Sequence, residues 1–281
     1  MIIDTHTHIF PSFFRDERAI FFPDEQDFAK LYGPSGSKMA GVQDLLNDMD
    51  DAAVEKSVIF GFPWRTADHF RRHNDYILES VQQHPDRLTG FCCFDFTSPE
   101  SPMEAERCLN AGLSGIGELG LYDSDFSPDA IDALKDIMEI ALHRDAPVLL
   151  HTNEPVGHSY PGKQPMTLGR LYTLIKRYPS NHIILAHWGA GIFFYGLMKK
   201  EVKETLGNVW LDTAASPYLY APEIYRVAGE IAGFEKILFG SDYPLIKPSR
   251  YFPEMESLGL SAQSLKMICG ENAGRLLGLV A

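Results

Sequence analysis

Short apolar runs alternate with longer amphipathic segments along the whole chain. Strands are predicted at residues 2–8, where an apolar start leads into an alternating pattern, and at the short apolar runs within 56–61, 88–95, 114–119, 146–151, 182–187, 208–213 and 236–241. Segments with apolar residues at helical spacing follow them, at residues 42–53, 66–83, 99–111, 128–144, 166–178, 194–206, 222–231 and about 261–277. The pattern therefore predicts eight strand–helix repeats.

Eight such repeats in 281 residues favour an α/β fold of the (β/α)8 TIM-barrel type over an open, doubly wound sheet. Barrels of this kind commonly form one domain of about 250 residues, so a single domain over residues 1–281 is expected. The main irregularity is the first βα loop, residues 10–41, which is long and rich in phenylalanine. A loop of that length is expected to form a lid or a side wall.

The composition narrows the class of protein. Hydrophobic residues make up 45% of the chain and charged residues 22%, as in folded globular proteins. No run of eighteen apolar residues and no signal-peptide pattern are present, so a cytoplasmic location and no membrane partner are expected. The formal charge of −13 disfavours nucleic acid as a partner. The four cysteines lack metal-binding spacing and are expected to be reduced core residues.

Residue types that bind metals stand at the ends of five predicted strands. The C-terminal ends of barrel strands meet at one mouth, and side chains two apart on a strand share a face. Taken singly, each of these residues is more often a core residue or a helix cap than a ligand. Their common placement predicts a site for a divalent cation, with Zn²⁺ the first expectation. The predicted ligands are His6, His8, Glu118, His151, His187 and Asp242.

Several motifs resemble those of the amidohydrolase superfamily. Ile3-Asp-Thr-His-Thr-His8, His187-Trp-Gly189, Gly240-Ser-Asp-Tyr-Pro244 and Gly270-Glu-Asn-Ala-Gly-Arg-Leu-Leu277 are similar to the amidohydrolase 2 branch of metal-dependent TIM-barrel hydrolases. That branch also contains mononuclear decarboxylases similar to aminocarboxymuconate-semialdehyde decarboxylase. The fourth-strand sequence Gly115-Ile-Gly-Glu-Leu-Gly-Leu121 is instead similar to TatD-like and phosphotriesterase-like members, in which a carboxylate bridges two metals.

Two ligand arrangements follow from this resemblance. In the dinuclear one, His6, His8 and Asp242 hold one ion, His151 and His187 hold a second, and Glu118 bridges them. In the mononuclear one, His6, His8, His151 and Asp242 hold one ion, and His187 is free as an acid or base. Glu118 favours the dinuclear arrangement, because it is a carboxylate at the position where the similar members have one that bridges two metals. Asp4 is expected either to accept an imidazole N–H or to form a hydrogen bond at the barrel floor.

The expected activity is hydrolysis of a small ester, lactone, amide or related bond by a metal-activated water, with Asp242 and His187 as catalytic residues. The alternative is a mononuclear decarboxylase. A non-enzymatic or nucleic-acid-processing role is disfavoured by the ligand set and the acidic charge. The partner is expected to be a small-molecule substrate, and a homodimer is left open. The predicted substrate contacts are Trp64, Arg65, His158 and Tyr218.

Overall fold

The computed structural model describes residues 1–279 and contains one parallel sheet of eight strands in the order β1 to β8. Strand β8 returns to β1, where Thr5 N donates to Phe239 O at 2.8 Å and His8 N donates to Tyr243 O at 2.7 Å. The sheet is thereby closed, which confirms the predicted (β/α)8 barrel. The strands are β1 Ile3–His8, β2 Lys56–Phe60, β3 Leu88–Cys92, β4 Gly115–Leu119, β5 Val148–Leu150, β6 Ile183–Leu185, β7 Val209–Asp212 and β8 Ile237–Leu238.

Two apolar layers surround the strands. Inside the barrel, Val58, Phe60, Phe91, Leu149 and Leu238 belong to a compact buried cluster. A larger cluster packs the outer faces of the strands against the surrounding helices. Because both faces of a parallel sheet are covered in this way, its strands are apolar along most of their length. This burial explains why the strands could be recognised as short apolar runs.

Helices follow most strands at the expected places. They are α1 Ser12–Asp16, α2 Gln26–Tyr32, α3 Val42–Asp51, α4 Ala67–Gln83, α5 Ser101–Asn110, α6 Pro128–Ala133, α7 Lys135–His143, α8 Leu168–Arg177, α9 Lys200–Thr205, α10 Ser216–Leu219, α11 Ile224–Ala232, α12 Phe252–Ser257, α13 Ala262–Lys266 and α14 Asn272–Leu276. Shorter 3₁₀ turns lie at Arg18–Phe21, Leu206–Asn208, Phe234–Lys236 and Pro248–Arg250.

Three of the predicted helices are not continuous. The one expected at 128–144 is divided at Leu134 into α6 and α7. The helix expected at 194–206 is reduced to α9, because the chain first passes through the irregular turn His187–Leu197, where residues 188–191 have left-handed backbone angles. The segment expected as one helix at 261–277 contains a π-helical turn at Met267–Glu271, which separates α13 from α14. Helical periodicity therefore located these segments without revealing their breaks.

The first βα loop, residues 10–41, packs as a wall against the loop after β2, and we call it the wall segment. Its Phe14 and Phe28 are fully buried and lie 4.2 Å and 4.4 Å from Trp64, measured between ring centroids. The buried carboxylate of Glu25 accepts hydrogen bonds from the backbone N–H groups of Arg65 and Thr66, both at 3.0 Å. These contacts fix the wall segment against the start of α4. Whether it opens as a lid stays a prediction.

Removing the Glu25 carboxylate is expected to destabilise the protein. Glu25→Ala leaves two amide donors at the start of α4 without their acceptor and also removes the contact with His69 Nδ1 at 2.9 Å. We expect a loss of about 2 kcal/mol in the free energy of unfolding, measured by urea denaturation. The exposed Glu17 of the same segment supplies the control Glu17→Ala. Equal stability of the two variants would contradict the assignment.

The structure bears on the expectations for the cysteines and for membrane-spanning helices. Cys92, Cys93 and Cys108 are unpaired and buried, and Cys269 is unpaired and partly buried. None of the helices in residues 1–279 combines the length and hydrophobicity that a bilayer crossing requires. The cysteines therefore contribute to packing as small apolar groups.

Candidate metal centre

Glu118 lies at the centre of the predicted ligands, in the mouth of the barrel. Its Oε2 is 3.8 Å from His6 Nε2 and 3.7 Å from His8 Nε2. Its Oε1 is 2.9 Å from His151 Nδ1 and 3.7 Å from His187 Nε2. Each carboxylate oxygen thus faces a different pair of imidazole nitrogens. The structure places Glu118 between two groups of potential ligands.

Asp242 completes one of these groups. Its Oδ1 is 3.6 Å from His6 Nε2 and 3.7 Å from His8 Nε2, so it lies on the same side as Glu118 Oε2. Possible ion-binding triplets are present on both sides of Glu118 within residues 1–279. We call the six residues together the imidazole–carboxylate cluster. It consists of His6, His8, Glu118, His151, His187 and Asp242.

Every imidazole of the cluster has one ring nitrogen fixed by an oxygen atom outside the cluster. The four contacts are His6 Nδ1 with Asp212 Oδ2 at 2.8 Å, His8 Nδ1 with Gly61 O at 3.1 Å, His151 Nε2 with Gly162 O at 3.1 Å, and His187 Nδ1 with Ala214 O at 2.9 Å. Donating one N–H to these acceptors leaves the lone pair of the other nitrogen directed toward the interior of the cluster. The rings are therefore oriented as metal ligands would be.

Asp212, at the end of β7, is a functional residue that the sequence analysis missed. Its Oδ2 contacts His6, and its Oδ1 accepts from the backbone N–H groups of His187 at 2.8 Å and Ala214 at 3.0 Å. Asp4, which was expected either as an imidazole acceptor or in a hydrogen bond at the barrel floor, accepts from the backbone N–H of Ser241 at 2.9 Å and of His6 at 3.2 Å. The position of Asp212 at the end of a predicted strand was the signal that could have identified it.

The Asp212 carboxylate is expected to control metal affinity without touching the ion. In Asp212→Asn the amide can still accept a hydrogen bond, but it lacks the charge that favours the correct tautomer of His6. We expect a loss of about 10- to 100-fold in metal affinity, measured by competition with a fluorescent chelator. Asp145→Asn is a suitable control, because Asp145 lies on the exposed contact with His182. Unchanged affinity in Asp212→Asn would show that this contact is purely structural.

The cluster is electrostatically suited to a cation. Burial alone would lower the pKa of His6, but Asp212 and Glu118 raise it to about 10. Burial would raise the pKa of Glu118, but His151 and His6 hold it below its usual range. The carboxylates therefore stabilise positive charge at this position, whether a proton or a metal ion carries it.

Unusual backbone geometry supports two of the cluster residues. His187 and Asp242 have φ angles of 54° and 64°, in the left-handed region that non-glycine residues adopt at a cost of about 1 kcal/mol or more. At two positions the backbone passes so close to a histidine of the cluster that only glycine fits. A Cβ on Gly240 would lie 2.8 Å from His6 Cβ, and one on Gly120 would lie 2.8 Å from His151 Cβ. These constraints explain why glycine flanks the ligands at the strand ends.

A cavity of about 710 Å³ opens above the cluster. Glu118, His151, His187 and Asp242 are among its lining residues, and the wall segment contributes further side chains. Two of the predicted substrate contacts, His158 and Tyr218, also line this cavity. Their contact with substrate stays a prediction, but their position is compatible with it.

The other two predicted substrate contacts lie elsewhere. Trp64 is fully buried, and its indole N–H donates to His73 Nδ1 at 2.9 Å. The Arg65 guanidinium is paired with Asp27 at 3.0 Å and lines a separate polar cleft. Trp64 and Arg65 are neighbours in the loop after β2, but their side chains point in different directions. Their position just after β2 therefore does not bring either side chain into the cavity. Neither residue is part of the main cavity, which corrects the expectation.

The donor set fits a divalent metal ion. His6 Nε2 is buried and has no hydrogen-bond partner within residues 1–279, although it points toward two carboxylates. A buried polar atom without a partner is costly, and an ion would satisfy it. Imidazole nitrogens together with carboxylate oxygens suit several first-row transition metals, including manganese and zinc.

Comparisons with known proteins agree with this site. A family model described as amidohydrolase matches residues 3–279. A γ-resorcylate decarboxylase from a Polaromonas species is 24% identical, with 94% of each chain covered. The crystal structure of 5-carboxyvanillate decarboxylase from Sphingomonas paucimobilis superposes with a TM-score of 0.77 at 16% identity, covering 99% of this chain and 98% of the other.

A further structural relative contains a metal. The dihydroxybenzoic acid decarboxylase from a Polaromonas species, with bound manganese and the inhibitor 2-nitroresorcinol, has a TM-score of 0.73 at 19% identity. The alignment covers 99% of this chain and 97% of that one. The expectation of hydrolysis is wrong, because these three relatives, each matched over nearly its whole length, are decarboxylases. These relatives favour the alternative, a decarboxylase.

Proposed function

Because this chain belongs to the amidohydrolase family, we propose that it is a metal-dependent decarboxylase that acts on a small aromatic carboxylic acid. The observation that carries the proposal is the imidazole–carboxylate cluster at the floor of a cavity in a chain whose relatives decarboxylate hydroxylated benzoic acids. A cavity of about 710 Å³ has room for a substituted benzene ring.

The cluster residues divide into two groups around Glu118. His6, His8 and Asp242 would hold one divalent ion, and His151 and His187 would hold a second, with Glu118 between them. When bound, a divalent ion supplies positive charge that holds and polarises oxygen atoms of the substrate. The manganese bound by a structural relative makes Mn²⁺ the first ion to test, before Zn²⁺.

Asp242 is the residue to which we assign proton transfer. Its side chain is 15% exposed, compared with 3% for Glu118, so it is the more accessible carboxylate of the cluster. Asp242 would take up a proton from the open cavity and transfer it to the ring carbon that bears the carboxylate. The C–C bond then breaks, its electron pair returns to the ring, and carbon dioxide leaves. The net reaction replaces the carboxylate by hydrogen.

Decarboxylation is tested directly on two aromatic acids. Manganese-loaded protein is expected to release carbon dioxide from 2,6-dihydroxybenzoate or 5-carboxyvanillate, followed by a coupled carbon dioxide assay and by chromatography of the ring product. Treatment with a chelator should abolish the reaction, and added Mn²⁺ should restore it, because the substrate is held and polarised by bound divalent ions. A metal-loaded protein that releases no carbon dioxide from either acid would contradict the proposal.

A further inference from the structure

Two tyrosines on one wall of the cavity face the cluster from different elements. Tyr32 ends helix α2 of the wall segment, and Tyr122 lies in the loop after β4. Both line the cavity. The ring of Phe62 packs against both, 5.8 Å from the Tyr32 ring and 5.9 Å from the Tyr122 ring, measured between centroids. This shared packing partner places the two phenols on the same side of the cavity.

The two tyrosines are held in place through their own segments. Lys30, two residues before Tyr32 in the chain, donates to Tyr122 O at 3.4 Å and to Asp123 Oδ1 at 2.8 Å. Tyr122 also packs against the ring of His151 at 5.0 Å. The wall segment and the β4 loop are therefore tied to each other next to the cluster. This arrangement orients both phenol rings before any ligand arrives.

Neither phenol hydroxyl is used for internal structure. Within residues 1–279, the hydroxyls of Tyr32 and Tyr122 make no hydrogen bond to the protein, whereas that of Tyr251, outside the cavity, donates to Ser241 O at 2.7 Å. Tyr32 is partly buried and Tyr122 is buried, and both line the cavity. Their hydroxyls are therefore available to a ligand.

The charge state of both groups suits an anion. A phenol with its ordinary pKa of about 10 is protonated at neutral pH. Both hydroxyls therefore stay protonated at neutral pH and can donate. A donor pair of this kind binds a carboxylate through short, charge-assisted hydrogen bonds. A benzoic acid is ionised at neutral pH, whereas an ordinary phenol with a pKa of about 10 is not.

We propose that Tyr32 and Tyr122 form a donor pair that binds the carboxylate of the substrate and thereby selects aromatic acids over neutral aromatic compounds. The inference rests on the proposed function for the identity of the substrate class. It gives the wall segment a role in recognition, since Tyr32 comes from that segment and not from a strand end. The two residues act by positioning the substrate, and proton transfer remains with Asp242.

The test compares benzoate with benzamide, which have the same shape and differ in charge. Binding of each compound to manganese-loaded protein is measured by calorimetry for the original chain and for Tyr32→Phe and Tyr122→Phe. Each variant is expected to weaken benzoate binding about tenfold, because one hydrogen bond to a charged group is lost. Benzamide binding should change by less than about twofold, since its neutral oxygen gains less from a phenol donor.

Tyr172→Phe is the matched control, because its hydroxyl contacts Thr205 outside the cavity. The proposal is overturned if benzoate binding is unchanged in both variants, if benzamide binding weakens equally, or if the original chain does not bind benzoate. The assay requires no turnover. A benzoate-selective loss without any carbon dioxide release would therefore support the donor pair while contradicting the proposed decarboxylation.

Discussion

Replacing Glu118 by glutamine is expected to remove both bound metal and activity. The two carboxylate oxygens face four imidazole nitrogens at 2.9–3.8 Å, so the substitution changes both groups of ligands at once. Glutamine keeps the shape of the side chain but lacks the negative charge that offsets two cations. We expect the rate of decarboxylation to fall by about a thousandfold, the scale seen when an electrostatic group is removed from an active site.

The Glu118→Gln experiment needs a control for the loss of a buried carboxylate as such. Glu104 is buried outside the cluster, where it contacts Asn74 and Arg107, so Glu104→Gln should lose stability and keep its metal. Metal content by plasma mass spectrometry and the rate of carbon dioxide release are measured on both variants. Normal metal content and rate in Glu118→Gln would rule out a central role for this carboxylate.

His187→Ala is expected to lower the metal content and to abolish most of the activity. In the arrangement proposed here, His187 and His151 hold the second ion, so the variant should fall from about two ions per chain to about one. The ion on the side of His6 and His8 should remain, since its ligands are unchanged. We expect the decarboxylation rate to fall by about a thousandfold as well, because charge beside the substrate is lost.

The same variant distinguishes the two ligand arrangements. If His187→Ala binds as much metal as the original chain but is inactive, His187 is an acid or base beside a single ion, as in the mononuclear arrangement. Full activity with full metal content would exclude both roles. His143→Ala is the control, since His143 is exposed on α7, away from the cluster. Metal content and carbon dioxide release are the two measurements.

The sequence determined the fold because barrel strands are buried on both faces. Runs such as Val148–Leu150 and Ile183–Leu185 are apolar throughout, and the helices between them are amphipathic, so their order could be identified without coordinates. Local breaks were not predicted. The left-handed turn after His187 brings Gly189 beside Leu211, where a Cβ would lie 2.8 Å from Leu211 Cδ2, and this is a contact across the fold.

The sequence also located the members of the cluster, but it did not determine the reaction. A parallel barrel brings its strand ends together, so His6, Glu118, His151 and Asp242 had to meet at one mouth. Ligand types specify that an ion can bind, while the reaction depends on which substrate atoms the cavity presents to it. The expectation of hydrolysis failed for that reason, and comparison with relatives corrected it.

What the sequence by itself determined was the barrel, the family resemblance and the residues that converge at its mouth, because periodicity and strand ends are properties of the chain. Only the tertiary structure identified Asp212 as the partner of His6, separated Trp64 and Arg65 from the cavity, and brought Tyr32 beside Tyr122. Each of these depends on the direction of a side chain and on contacts between distant segments. Packing fixes such directions, and no local pattern encodes them.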